Sequence, residues 1–166
     1  AFSANRAFVP EMLMAARCMS AATELLKPLM VGEGTEPVGR VCLGTVKGDM
    51  HDIGKNLVKI MMEGSGIEVY DLGTDVSAEQ FVETAVEHDC GIIACSSLLT
   101  TTMNEMRRVV SLAQEKGIRK KVRILIGGAP ISQSFCDEIG ADVYTEDAGA
   151  AARAAVEMLK TCQNGK

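Results

Sequence analysis

The chain of 166 residues has no tryptophan, 4% aromatic residues, four prolines and two histidines. So few aromatics mean that the 47% hydrophobic content must build an aliphatic core from Ile, Val, Leu, Ala and the ten methionines. No apolar run approaches the roughly 20 residues a membrane span needs. No basic flank followed by an apolar block opens the sequence, so neither a membrane partner nor a secretion signal is expected, and a cytoplasmic location is. Seventeen basic against 22 acidic residues give a net charge of −5. No basic stripe with interleaved aromatics occurs, which argues against a nucleic-acid partner. The six cysteines (Cys18, Cys42, Cys90, Cys95, Cys136 and Cys162) contain no Cys-x-x-Cys pair. Several lie in apolar runs such as "VCLG" and "IIACSS", where small buried thiols in a reducing compartment are the expectation; a disulfide framework or cysteine-ligated zinc is the alternative.

What the sequence does have is periodicity. Residues 9–30 place Met12, Ala16, Met19, Thr23 and Leu26 on one helical stripe, with Pro10 suited to a first turn and Pro28 to an end. "VGEGTEPVGR" (31–40) is linker-like. From residue 40 onward β-branched runs alternate with helical stripes: "RVCLGTV", "IEVYDL", "GIIACS", "VRILIG" and "ADVY", each followed by a helix. The first helix is expected to bury Leu57, Ile60, Met61 and Gly64. Strands that are apolar throughout and alternate with helices indicate a parallel sheet covered on both faces. The expected fold is α/β and flavodoxin-like, with a five-stranded parallel sheet and ligands at the carboxyl ends of the strands. Residues 1–30 are expected to be part of a helical domain, 31–39 a linker and 40–166 the α/β domain.

Within this frame one stretch needs an explanation: "GDMHDIGK", residues 48–55. Its "HD" is reminiscent of metal-dependent phosphohydrolases, but such sites draw several His and Asp ligands from separate helices. Here the other histidine is His88, at the end of an expected helix. His51 instead falls just after the first strand. Asp52 suits an N-cap for a helix starting at Ile53, and Gly48 and Gly54 suit turns, so a plain loop histidine is the bland alternative. Against it stand five hydroxyls between Ser96 and Thr102, after strand three, and Gly127 and Gly128 after strand four. Small and hydroxyl residues at the same sheet edge outline a slot that a large ligand could enter.

Taken together, "TVKGDMHDIGKN" (45–56), "SSLLTTTMNEM" (96–106), "IGGAP" (126–130) and "VYTEDA" (143–148) resemble the cobalamin-binding module of methionine synthase and of the corrinoid proteins of anaerobic methyltransferase systems. Residues 1–30 resemble the latter half of the helical cap that precedes this module. The resemblance implies a cobalamin or related corrinoid, carried as the methyl or hydroxo form. His51 would be the lower axial ligand to cobalt in place of the cofactor's dimethylbenzimidazole. It also implies that Asp49 accepts from the far ring nitrogen of His51 and stabilises a proton on it when the metal lets go. Thr102 takes the place of the serine that completes this relay in methionine synthase. The nucleotide tail would run along Asp52, Ile53, Gly54, Ser96, Leu98, Thr100, Gly127, Gly128 and Ala129 and end near Tyr144 and Ala148. Phe8 aligns with a cap residue that shields the upper face; an ordinary helical-core phenylalanine is its alternative. The cap is expected to lack its first helices.

The function implied is methyl carriage between two partner methyltransferases, as in methylamine, methanol or O-demethylation systems. One partner would be specific for the methyl donor; the second would pass the methyl group to an acceptor such as tetrahydrofolate or a thiol, and a reductive activase would be a third partner. No apparatus for activating a methyl donor is present, so the chain is expected to be non-catalytic alone. A small subunit of an adenosylcobalamin mutase is the alternative, although such domains usually read "DGHDRG" and lack a helical cap. A cobalamin-based regulator would need an output module, and a cofactor-free interaction domain would stay colourless with a corrinoid.

Overall fold

The computed structural model describes residues 37–163 together with Met14, Ala15, Cys18 and Ala21. Phe8 and most of the expected helix over 9–30 lie outside the described residues. The chain divides into two compact units, Ala1–Glu36 and Pro37–Lys166. No helix among the described residues is long and apolar enough to cross a membrane.

The second unit alternates strand and helix without exception: β1 (Arg40–Val46), α1 (Ile53–Glu63), β2 (Glu68–Val76), α2 (Ala78–Glu87), β3 (Ile92–Ser96), α3 (Asn104–Glu115), β4 (Arg123–Gly127), α4 (Gln133–Ile139), β5 (Val143–Thr145) and α5 (Ala148–Gln163). The strands form one sheet in the order β2-β1-β3-β4-β5, all pairings being parallel. This is the flavodoxin-like arrangement expected from the sequence, and it puts the ends of β1 and β3 side by side at the point where strand order reverses.

Alternation along each strand divides the core into two layers. Cys42, Ile93, Ile124 and Ile126 pack with Phe81, Met106 and Phe135 of α2, α3 and α4. Val41, Leu43, Ile92 and Leu125 pack with Met62 of α1 and the small face Ala151, Ala152 and Ala155 of α5. Ser77 caps α2 through a reciprocal bond pair with Gln80. Ser132 caps α4, which ends at Gly140 in the left-handed conformation (φ 75°).

Three expectations are corrected here. The inward face of α1 carries Lys55, Val58 and Met62, not Leu57, Ile60, Met61 and Gly64; Met61 is exposed. The apolar residues of this helix spread over about half its circumference, so periodicity alone does not choose the inward face; packing against the alanines of α5 does. Strand β2 runs four residues past Leu72, through two breaks of register with β1 beside Gly44. The Gly-Thr-Asp composition of that extension reads as a turn. Third, Asp52 stands at the N-cap of α1 but makes no capping bond; its carboxylate accepts from the Asn56 amide instead (3.1 Å). Of the cysteines, Cys42, Cys90, Cys95 and Cys136 are buried free thiols, whereas Cys18 is exposed. Burial pushes the Cys95 thiol well above its usual value.

Candidate functional site

Beyond β1 the chain turns at Gly48 (φ 80°) and drives Asp49 into the protein, where its side chain is fully buried. An uncompensated carboxylate there would be expensive, and this one is surrounded by donors. Oδ1 accepts from the His51 backbone N–H (3.1 Å) and meets His51 Nδ1 at 2.7 Å. Oδ2 accepts from the N–H groups of Leu98 (2.7 Å) and Leu99 (3.2 Å) and from the hydroxyls of Thr102 (3.0 Å) and Ser97 (3.4 Å). Burial alone would raise this carboxyl's pKa, but the Leu98 N–H and the His51 ring and backbone outweigh it and hold the group well below the usual carboxylate range.

An ionised carboxylate only accepts, so Nδ1 of His51 carries the proton and donates it. In the neutral ring Nε2 is then the nitrogen with a free lone pair. The His51 side chain is 51% exposed, and the Thr45 hydroxyl, itself buried, holds the His51 carbonyl (2.8 Å). The ring is thus fixed at one nitrogen and along its backbone, and it is open at the other. Around it stand large apolar side chains turned to solvent: Met50 (70% exposed), Ile53 (68%), Leu98 (44%) and Leu99 (39%). An added Cβ at Gly54 would meet nothing within 4 Å. A fixed imidazole with an open nitrogen, ringed by an exposed apolar apron, suits a broad, largely apolar ligand that carries a metal at its centre. The residues present therefore fit a corrinoid.

The strand ends add a second feature. Thr45, Ser96, Gly127 and Thr145 are register partners across four neighbouring strands. By alternation they share the face that carries Leu43, Ala94 and Leu125, the face covered by α1 and α5. A row of small and hydroxyl residues thus runs along the carboxyl edge. Ser96, Gly127 and the buried Ala148 at the start of α5 belong to this side. Tyr144 does not: it packs on the opposite layer with α4, and Thr145 takes the position in the row. Thr100 and Ala129 are exposed in the loops after β3 and β4. Gly128 needs no ligand to explain it. Its φ is +134°, and an added Cβ would fall 1.8 Å from the Ser97 carbonyl oxygen.

Three contributors escape sequence reasoning. Ser96 and Ser97 are neighbouring hydroxyls, and Ser97, the one not expected, is the buried hydroxyl on Asp49. Thr45 has a signal that could have found it, a hydroxyl at the end of an apolar strand. Lys55 has none. Among the described residues no three His, Cys, Asp or Glu side chains are disposed to hold one ion, and Asp52 turns to Asn56 rather than joining His51.

A doubly wound α/β domain presenting an imidazole backed by a buried carboxylate at its switch point defines a class, and comparison with known proteins agrees with it. The chain belongs to the B12-binding domain family, which matches residues 39–157, and it binds a corrinoid. It is 44% identical over 159 residues to dimethylamine corrinoid protein 1 of Methanosarcina acetivorans, covering 95% of this chain and 75% of that protein. A corrinoid protein of Desulfitobacterium hafniense is 41% identical over 162 residues, covering 96% of this chain and 75% of the relative. In the crystal structure of the methanol:cobalamin methyltransferase complex of Methanosarcina barkeri, one chain superposes with a TM-score of 0.83 at 30% identity, covering 96% of this chain and 60% of that one.

Proposed function

We propose that this protein is a methyl carrier, holding a corrinoid with His51 Nε2 as the lower axial ligand and serving two methyltransferases in turn. The observation that carries the reading is the His51–Asp49 pair: one ring nitrogen tied to a buried carboxylate at 2.7 Å, the other open. When bound, the corrinoid supplies a cobalt centre that accepts and releases a methyl group. The chain's own residues hold and tune that centre. Asp49 fixes the tautomer and orients the ring so that Nε2 faces the ligand, and Thr102 and Ser97 bear on the same carboxylate. The row Thr45–Ser96–Gly127–Thr145 and the start of α5 would receive the nucleotide tail, with Asp52, Ile53, Gly54, Leu98, Thr100, Gly128 and Ala129 at its margins.

A methylamine is the donor class we favour, because the curated relative at 44% identity is a dimethylamine corrinoid protein. The relatives lend nothing to the mutase alternative. The test is to reduce the cobalamin-loaded protein and supply carbon-labelled dimethylamine, monomethylamine or methanol with a cell extract. Label is expected to co-migrate with the protein-bound corrinoid for one donor. Failure of every donor to label a correctly loaded protein, or formation of an adenosyl adduct instead, would contradict methyl carriage.

A further inference from the structure

The turn that carries His51 is gripped from two sides. On the β3–α3 side lie the donors already described. On the other side Asp75, in β2, accepts from the Gly48 N–H (2.7 Å) and gives its own N–H to the Asp49 carbonyl (3.0 Å). Strand β2 is irregular just there. Its register with β1 slips at Leu43/Gly44 and again at Gly44/Val46, Gly73 has φ 83° and Asp75, a non-glycine residue, has φ 57°. Such a bulge persists only if its surroundings enforce it.

What enforces it is an ion pair reaching across from α1. The Asp71 carboxylate accepts from the Gly73 N–H (3.0 Å), from Lys55 Nζ (2.6 Å) and from Lys59 Nζ (3.4 Å). Lys55 is 2% exposed and also bonds the Asn56 amide oxygen (2.7 Å). It lies in the first turn of α1, where both burial and the helix dipole disfavour a cation. No packing need calls for a lysine there, whereas the Asp71 contact does. Because Lys55 follows His51 by one helical turn, the contacts close a ring: His51 to α1, Lys55 to Asp71, the bulge to Asp75, and Asp75 back to Gly48 and Asp49.

We propose that this strap, the β2 bulge locked to α1 by Lys55 and Asp71, sets how firmly His51 holds the corrinoid metal. Lys55 and Asp71 are positioning residues in this scheme, which rests on His51 being the lower ligand. The full chain, made with nitrogen-15 histidine, is reconstituted with unlabelled hydroxocobalamin and reduced to cobalt(II). Paramagnetic resonance then separates protein whose cobalt carries a nitrogen-15 axial ligand from protein whose cobalt carries none. In Lys55→Met and Asp71→Asn the corrinoid should stay bound while the ratio of ligated to unligated His51 falls about tenfold or more, as loss of a charged hydrogen bond implies. Lys55→Arg should recover part of the loss. An unchanged ratio in both single variants overturns the strap, as does a lower thermal midpoint with the ratio intact. If Lys55→Met does not fold, the near-isosteric Asp71→Asn decides between these outcomes. His51→Ala, made with nitrogen-15 histidine, is the separate control: nitrogen-15 doublets that survive in it overturn the ligand assignment rather than the strap.

Discussion

The two histidines sit at opposite ends of the same sheet, and their surroundings share almost nothing. His51, at the carboxyl edge, is tied to a carboxylate of zero exposure, in a neighbourhood that contains Thr45, Asp49, Lys55, Ser97 and Thr102, the buried polar residues of the described chain. His88 closes α2 near the amino edge. There it stacks on Tyr70 with ring centroids 4.1 Å apart, beside a Glu68–Arg40 pair that is nearly half exposed on both sides. Polar groups at the amino edge satisfy one another in contact with water and contribute little. Those at the carboxyl edge were taken out of water at some expense and arranged about one ring. Burial of polar groups, more than the presence of a histidine, marks the working end of this fold.

Substitutions should expose the difference, most sharply at Asp49. Asp49→Ala strands two loop N–H groups, the His51 N–H and two hydroxyls, and is expected to lower unfolding free energy by about 3–5 kcal/mol in denaturant titration. The pH dependence follows in sign. The folded carboxyl lies below its unfolded value, so its contribution is complete above about pH 4 and fades as pH falls through the lower, folded value. Asp49→Asn should therefore flatten the acid limb of the stability curve, and an unaltered limb would count against a paired, ionised Asp49. Thr102→Val removes one hydroxyl donor to Asp49 and leaves Ser97 and the loop N–H groups in place. A loss of about 1–2 kcal/mol is expected, with the corrinoid retained on gel filtration. His88→Ala should be smallest, costing under about 1 kcal/mol for the lost stacking, with corrinoid retention unchanged. A larger effect on retention there would mean that the two ends are coupled.

Much of this is legible in the residues. Apolar strands alternating with amphipathic helices specify a covered parallel sheet whatever the details. The Asp-x-His spacing puts both groups on one turn after β1. Less legible is anything decided by three-dimensional packing. The face of α1 depends on the alanines of α5, and the length of β2 on bulges that look like a turn in sequence. Ser97 and Ser96 are adjacent hydroxyls on opposite sides of a strand end, so choosing between them requires the geometry. Lys55 reads as an ordinary surface lysine until Asp71 is seen across from it. The same alternation that places Thr145 in the row sets Tyr144 on the opposite layer.

His51, and not the cofactor's own base, is the proposed ligand to cobalt. Protein made with nitrogen-15 histidine and loaded with unlabelled hydroxocobalamin, then reduced to cobalt(II), tests it directly. Coupling to the axial nitrogen splits the paramagnetic resonance lines into triplets for nitrogen-14 and doublets for nitrogen-15. Labelling histidine is expected to turn the triplets into doublets, and labelled His51→Ala should show no doublets. Triplets that persist in the labelled protein would mean that dimethylbenzimidazole still holds the metal, and the account of this site would be wrong.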